Sequence, residues 1–243
     1  MERRLWMLLI GLTILLSGGP AWAQSSLEQR LTSWPDWNLP APLTRPSNRD
    51  DLIYPEWFAG LWQVESMDLD APDDPALLHQ ARFEQDKRGR LVGDRSFNAT
   101  AIGRALLGDQ LLGVDDDPDS ANRQIARLKG DLYLETTVTG RRQERPNPDT
   151  FLADELVLQI LHTPGAPRLS RIETLSRYNR CGDDICAEQW QGRYASPGES
   201  LRDQTVAQHH YKLRFTPLPG SAPSTSVQAD HATETVVANA GDH

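Results

Sequence analysis

Residues 151–162 read FLADELVLQILH, and this stretch decides the fold class. Leu156, Leu158 and Ile160 stand at every second position, so an extended chain places them on one face. Residues 132–139, LYLETTVT, alternate in the same way and are rich in residue types that favour strands. Both stretches are therefore predicted to be β-strands.

Strand patterns continue outward from these two stretches, separated by short turns. Further strands are predicted at residues 60–66, 78–86, 91–97, 124–128, 169–180, 185–194 and 211–215. One short helix over residues 99–107 follows the third strand, with Asn98 as its N-cap and Gly108 as its C-cap. Residues 115–122 and 141–150 are predicted to be polar loops.

Eight or nine strands with mostly short connections exclude a parallel βαβ sheet. The pattern predicts a mostly β fold, in which a meandering antiparallel sheet closes into a barrel or curls into a sandwich. Closure is favoured because it removes exposed strand edges. We place this β-barrel domain at residues 52–216.

The first 23 residues have the three parts of a cleavable secretory signal peptide. A basic start precedes an apolar run over residues 5–16, a Gly/Pro break and the motif Ala21-Trp22-Ala23. Cleavage is predicted between Ala23 and Gln24, and the protein is predicted to be exported. An uncleaved anchor is the less favoured alternative, since a bilayer span needs ~20 apolar residues. The mature chain has no later apolar segment of that length.

The chain is acidic, with a formal net charge of −9 at pH 7. Nucleic acids and anionic membrane surfaces are bound by basic faces. The charge therefore argues against both classes of partner.

Two segments flank the predicted domain. Residues 24–51 form an arm rich in proline and tryptophan, in which Trp34 and Trp37 are expected to fasten the arm to the domain. A partner-binding arm is the alternative, because exposed aromatic side chains mark interfaces. Residues 217–243 contain few large apolar residues and are predicted to be a disordered tail.

Cys181 and Cys186 are the two cysteines of the chain. In an exported protein an even cysteine count indicates a disulfide. They lie between two predicted strands, where a short loop brings the strand ends to the separation that a disulfide needs. A structural clip is favoured over a redox-active pair.

Gly60-Leu61-Trp62 at the head of the first predicted strand resembles the G-x-W signature of the calycin superfamily, which includes the lipocalins. The resemblance implies a barrel whose closed end is plugged by Trp62. It also implies that an arginine from the last strand covers this tryptophan, and Arg214 is the residue in that position.

A second resemblance rests on four motifs in order: YPEWFAGLW at residues 54–62, GDRSFN at 93–98, Asp117-Pro118 leading to Asn122-Arg123-Gln124, and VTGR at 138–141. They resemble a domain-of-unknown-function family of cyanobacteria and plant chloroplasts, over about residues 53–215. The resemblance implies a thylakoid-lumen or periplasmic setting and no assigned activity.

Trp57, Phe58 and Trp62 are candidates to line or close a ligand-binding barrel. Arg95 and Asn98, where a strand meets a helix, are candidates to hold a ligand carboxylate. The alternative for this pair is structural: Asn98 caps the helix and Arg95 pairs with an acid.

No catalytic or metal-binding residue is predicted, and no cofactor. Asp115, Asp117 and Asp119 alternate as in a calcium loop, but Ser120 and Ala126 replace the required glycine and glutamate. His209 and His210 are adjacent, so a strand points them to opposite faces. The sequence has no zinc-protease, P-loop, dinucleotide or nucleophile-elbow motif.

The favoured hypothesis is an exported, lipocalin-like protein of the periplasm or thylakoid lumen that binds a small apolar ligand, such as a pigment, lipid or quinone. One alternative is an assembly or stability factor that binds a membrane-complex subunit. The other is a calycin-type enzyme acting on a pigment or lipid. An open pocket of several hundred Å³ would favour ligand binding, and a buried carboxylate or histidine beside it would favour the enzyme.

Overall fold

The computed structural model describes residues 26–196 and 204–219, and within them the chain is mostly β. Ten strands form one sheet. They are β1 Gly60–Asp68, β2 Leu77–Gln85, β3 Leu91–Gly93, β4 Leu111–Asp117, β5 Ser120–Leu128, β6 Leu132–Asn147, β7 Thr150–His162, β8 Arg168–Cys181, β9 Asp184–Tyr194 and β10 Thr205–Pro217. Helix α1 spans Ser26–Thr32 and helix α2 spans Arg95–Leu107, with 3-10 turns at Glu56–Phe58 and Gly108–Gln110. The signal-peptide prediction and most of the predicted tail lie outside the described residues.

Every pair of neighbouring strands is antiparallel, as predicted. The order is β3-β2-β1-β10-β9-β8-β7-β6-β5-β4, so β3 and β4 are the two edges. Ten strands replace the predicted eight or nine. The acidic stretch that was predicted to be a loop is instead the β4–β5 hairpin, and residues 141–147 continue β6. β10 ends at Pro217, inside the predicted tail.

Tyr54 shows that the sheet curls into a half-barrel. Its ring centroid lies 4.6 Å from that of Phe83 on β2 and 5.5 Å from that of Phe151 on β7. In a flat sheet these two strands, five positions apart, would be about 24 Å from each other at the usual strand spacing. The face that holds Tyr54 is therefore concave.

Aromatic side chains fill one part of this concave face. Phe58, Trp62 and Phe151 are buried there, and Trp57 packs against them. The indole N–H of Trp62 donates to the carbonyl of Phe58 at 2.7 Å, and that of Trp57 donates to the carbonyl of Pro148 at 3.2 Å. The predicted barrel-closing aromatics thus form a packed core.

Helix α2 packs against β2 and β4, close to the two edges of the sheet. Its close approach to β4 depends on Gly103, where a Cβ atom would lie 2.7 Å from Leu111 Cδ2. The N-cap is Asp94, whose carboxylate accepts from the amide of Phe97 at 3.1 Å. The prediction that Asn98 is the cap was wrong, since the helix begins four residues earlier.

Asn98 instead pairs with β2 at Arg82, where β2 extends beyond the end of the short strand β3. Its Oδ1 accepts from the amide of Arg82 at 2.7 Å, and its Nδ2 donates to the carbonyl of Arg82 at 3.0 Å. The carbonyl of Arg82 also accepts from the backbone amide of Asp94 at 2.9 Å, so the Asn98 side chain satisfies the Arg82 amide and gives the carbonyl a second donor.

The implied contact between Arg214 and Trp62 does not form. In the β1–β10 register Val64 lies opposite Phe215, on the buried concave face, whereas Glu65 lies opposite Arg214. Alternation of side chains therefore points Arg214 outward. Its guanidinium binds Asp184, with Nε donating to Oδ2 at 2.7 Å.

Cys181 and Cys186 form the predicted disulfide across the β8–β9 hairpin, with Cα atoms 5.9 Å apart. The turn consists of Gly182 and Asp183, and Gly182 has a φ of +69°, a conformation that glycine adopts readily. Asn179 and Asp184 are the register partners of Cys186 and Cys181, so the disulfide joins the strands diagonally.

The N-terminal arm covers part of the convex face. Trp37 is fully buried there, with Leu27, Leu152, Leu175 and Tyr194. This confirms that the tryptophan-rich arm is fastened to the domain. None of the helices in the described part of the chain has the length and apolar character needed to cross a membrane.

Candidate functional site

A cavity of about 340 Å³ lies between α2 and the concave side of β5, β6 and β7. Its apolar wall includes Leu52, Ile102, Val138 and Val157. Its polar lining includes Asp51, His79, Arg95, Asn98, Asn122, Arg141 and Glu155. The volume falls within the usual range for small-molecule sites, and so does the mixture of an apolar wall with a few polar groups.

A bulge in β6 produces this lining. Val138 pairs with Val157, but Gly140 pairs with Leu156, so Thr139 is the extra residue of β6. A bulge shifts the alternation of side chains by one position. Both Val138 and Arg141 consequently face the cavity.

Two arginines bring positive charge to the cavity. Arg141 is tightly held: Nε donates to Glu155 at 2.6 Å, and Nη1 donates to the carbonyl of Asp50 at 2.8 Å. Arg95 is held loosely, with nitrogen–oxygen distances of 3.5 Å to Asp51 and 3.8 Å to Asp116. Those distances exceed the 2.7–3.2 Å of a usual N–H···O bond. Within the described ranges no protein group makes a hydrogen bond to the Arg95 guanidinium.

Burial shifts the titration of two groups in the lining. It raises the pKa of Asp51 above the usual aspartate range, although the nearby Arg95 acts in the opposite direction. It lowers the pKa of His79, so the imidazole is neutral at pH 7. The cavity thus contains a carboxyl group and a neutral imidazole in a partly dehydrated setting.

Asn122 contributes a buried amide to the lining. Its Nδ2 donates to the carbonyl of Ser47 at 2.7 Å. Its Oδ1 is buried and accepts no hydrogen bond from the residues that the structure describes. A buried acceptor in this state is costly unless a donor reaches it.

The structure separates the five residues predicted to contact a ligand into two groups. Arg95 and Asn98 line the cavity, whereas Trp57, Phe58 and Trp62 belong to the aromatic core. Sequence reasoning missed Asp51, His79, Asn122, Arg141 and Glu155. Asn122 and Arg141 did stand in the motifs that carried the family resemblance, which was the available signal.

Residues 46–219 match a protein family described as a domain of unknown function, DUF6816. The chain belongs to the DUF6816 family. No curated protein and no solved structure matches the chain. Every cavity-lining residue falls within the DUF6816 match, whereas the first part of the arm, including Trp34 and Trp37, precedes it.

In the β4–β5 hairpin of the DUF6816 domain, ion pairs neutralise the acidic side chains. Asp115 binds Arg127 and Asp117 binds Arg123, each with a nitrogen–oxygen distance of 2.9 Å. Asp119 donates its amide to Asp117 in the turn. The stretch is therefore a charge-paired hairpin.

His209 and His210 point apart, as predicted. His210 stacks on Trp190, with ring centroids 4.9 Å apart. The Nδ1 of His209 lies 3.2 Å from a carboxylate oxygen of Asp68. Together with Asp70 these residues form a group in which one potential metal-ligand atom from each residue lies within 4.8 Å of the others. Sequence spacing did not reveal this group, because its members come from β1, the following loop and β10.

A second polar cluster is buried under the arm. The guanidinium of Arg30 donates from Nε and Nη2 to the two carboxylate oxygens of Glu173, each at 2.8 Å. The Tyr194 hydroxyl donates to Glu173 Oε2. Asp154 lies beside this group, fully buried, and neither of its oxygens has a hydrogen-bond partner among the described residues.

Burial, followed by the negative charge of Glu173, raises the pKa of Asp154 well above the usual aspartate range, and Arg30 only partly opposes this. Burial and the charge of Glu173 also raise the pKa of Tyr194. Asp154 is therefore the carboxyl group of this cluster whose protonated form is favoured by burial. The sequence did not reveal this cluster because Arg30 is more than 100 residues from the other three members, which lie on three different strands and come together only in the folded sheet.

Proposed function

We propose that this protein is an exported binding protein whose small-molecule ligand occupies the cavity beneath α2, in the manner of a calycin. The periplasm or thylakoid lumen is the proposed setting, in line with the predicted signal peptide and the cyanobacterial and chloroplast resemblance. The observation that carries the proposal is the cavity of about 340 Å³, which side chains leave unfilled.

The lining favours an amphipathic ligand over a wholly apolar one. Leu52, Ile102, Val138 and Val157 provide an apolar wall. Burying that wall against a hydrocarbon or ring system is favourable by roughly 25 cal/mol per Å². A purely apolar ligand would however dehydrate Arg95 and Asn122 without replacing their hydrogen bonds, which is costly.

Arg95 is the residue best placed to bind the polar end of the ligand. Its distances to Asp51 and Asp116 leave the guanidinium donors without short partners among the described residues. A carbonyl or carboxylate oxygen is the matching acceptor, and hydrogen bonds to a charged donor are stronger than neutral ones. A ligand hydroxyl or amide would satisfy Asn122 Oδ1. The proposed ligand therefore has an apolar body and an oxygen-bearing head.

The test is native mass spectrometry of protein purified from its own host, beside Arg95→Met and Arg104→Met purified in parallel. Arg104 lies on the same helix but lines an open groove instead of the cavity. We expect a bound small molecule in the wild-type and Arg104→Met proteins and at least tenfold lower occupancy in Arg95→Met. Wild-type protein that is consistently empty would rule out the proposal.

An enzyme that acts within the same cavity is the second candidate. Asp51 and His79, both shifted in pKa by burial, are the observation that favours it, because perturbed titratable groups in clefts are common at catalytic sites. Mass spectrometry of the released molecule separates the two functions. A ligand that remains chemically unchanged after hours with excess protein supports binding, and a time-dependent mass change supports catalysis.

A further inference from the structure

The cluster of charged side chains buried beneath the arm contains more carboxyl groups than arginines. Two carboxyl groups, Asp154 and Glu173, are fully buried beneath the arm. Arg30 is the arginine that reaches them, and both of its donating nitrogens are bonded to Glu173. If both carboxyl groups were ionised, one negative charge would remain buried without compensation.

Among the residues that the structure describes, no second cation lies at short range from Asp154. Its register partner on β6 is Arg142, which bonds to Glu144 at 2.8 Å. From β8 it faces Glu173, from α1 Arg30 and from β9 Tyr194; Glu155 follows it on β7. Arg171 and Arg177, farther along the same face, bind Ala195 and Glu188 instead. The neutral, protonated form of Asp154 is thus the one that this packing accommodates.

The same cluster holds the arm onto the sheet. Arg30 is on α1, whereas Glu173 and Tyr194 are on β8 and β9. The Trp37 indole N–H donates to the carbonyl of Arg30 at 3.0 Å, and the Arg30 guanidinium lies 4.9 Å from the Trp37 ring centroid. Trp37 also fits over Gly192, where a Cβ atom would lie 3.3 Å from its ring. A disturbance at Glu173 is therefore transmitted directly to the packing of Trp37.

We propose that Asp154 and Glu173 form a pH-dependent latch, which holds residues 26–38 on the convex face while Asp154 carries a proton and releases them when that proton is lost to solvent. Release exposes Trp37 together with the apolar surface of Leu152, Leu175 and Trp190. Arm docking thereby becomes sensitive to the acidity of the compartment, with acid closing the latch and alkali opening it.

The direction follows from the raised pKa of Asp154. A carboxyl group in an unfolded chain has a pKa of about 3.9. Because the pKa is higher in the closed state, closed protein binds the proton more tightly, and the latch is fully effective below the unfolded value. Its contribution declines as the pH rises from the unfolded value towards the closed-state pKa, and it is lost above that pKa. Most acid-sensitive ion pairs show the opposite dependence.

Hydrogen–deuterium exchange of the purified protein tests the latch, with rates corrected for intrinsic pH dependence. The amides of Trp34 and Trp37, which bond within the arm, report on docking. Between the pKa of about 3.9 for an exposed carboxyl group and the raised closed-state pKa, their protection is expected to fall about tenfold per pH unit, the signature of one released proton. The β8–β9 ladder should stay protected. Loss of both together would indicate general unfolding and would overturn the proposal, as would flat arm protection between about pH 5 and pH 9.

Substitutions of Asp154 and Glu173 test whether this pair holds the proton that controls arm docking. Asp154→Asn is expected to remove the alkaline loss of arm protection, because the neutral side chain mimics the protonated state. Glu173→Gln should do the same, because Arg30 can then compensate an ionised Asp154. Asp74→Asn, an exposed acid in the β1–β2 loop, is the matched control and should keep the wild-type dependence. If both Asp154→Asn and Glu173→Gln kept the wild-type pH dependence, the assignment of the titrating proton to this pair would be contradicted.

Discussion

Asp94 and Asn98 illustrate what residue type alone can decide. Both are good helix caps, and the sequence placed a helix close to them correctly. It assigned the cap to Asn98 because residues 91–97 were taken as a continuous strand. In the structure Asp94 caps the helix, and Asn98 pairs with β2 at Arg82. Capping preferences rank residue types, and they do not choose between two suitable residues four positions apart.

Replacing Asn98 with alanine should therefore destabilise the protein because it removes the hydrogen bonds to the backbone of Arg82 on β2, and not because it removes a helix cap. The amide of Arg82 would lose the Asn98 oxygen as its acceptor, whereas the carbonyl would retain the Asp94 amide as a donor. We expect the free energy of unfolding to fall by about 1–3 kcal/mol. Urea unfolding measures this, with Ser96→Ala as the control on the same helix. A change below about 0.5 kcal/mol would mean that water replaces the side chain at the Arg82 amide.

At the scale of elements, alternation identified the long strands but missed the acidic hairpin β4–β5. Asp115 and Asp117 were taken as loop residues because isolated acids are unfavourable in strands. Arg127 and Arg123 on the facing strand neutralise them. Cross-strand pairing of this kind depends on register, which a single-sequence pattern does not fix. The β8–β9 hairpin was predictable because its two cysteines and a glycine mark the turn.

The disulfide of that hairpin closes a short loop and should stabilise the fold modestly. The sequence separation of five residues corresponds to about 2 kcal/mol in the chain-entropy account. We expect Cys181→Ser combined with Cys186→Ser to lower the free energy of unfolding by that amount. Dithiothreitol should lower the stability of the wild-type protein similarly and leave the double variant unchanged. A reductant effect on the double variant would show that the reductant acts elsewhere.

For the whole molecule, the sequence predicted a curling antiparallel sheet but not the positions of the cavity on its concave face and of the buried polar cluster on its convex face. Tyr54 joins β2 to β7 across the concave side, and Arg30 joins α1 to β8 and β9 on the convex side. These contacts join residues from about 30 to more than 160 positions apart, so no local period encodes them. The arm passes from the convex to the concave face beside β6. The amide of Arg141 donates to the carbonyl of Thr44 where β6 extends beyond its pairing with β5, and Asp51 then lines the cavity.

If the cavity is the binding site, filling it should abolish binding while the fold survives. Ala99 on α2 lines the cavity, whereas Ala101 on the same helix lines the open groove on the other side. Ala99→Leu adds three carbon atoms to existing space, so its cost should stay below the ~1–3 kcal/mol of overpacking. Native mass spectra of host-purified protein should then show at least tenfold lower ligand occupancy for Ala99→Leu than for Ala101→Leu. Because the two variants share helix propensity and residue type, equal occupancy in well-folded samples would place the ligand outside this cavity.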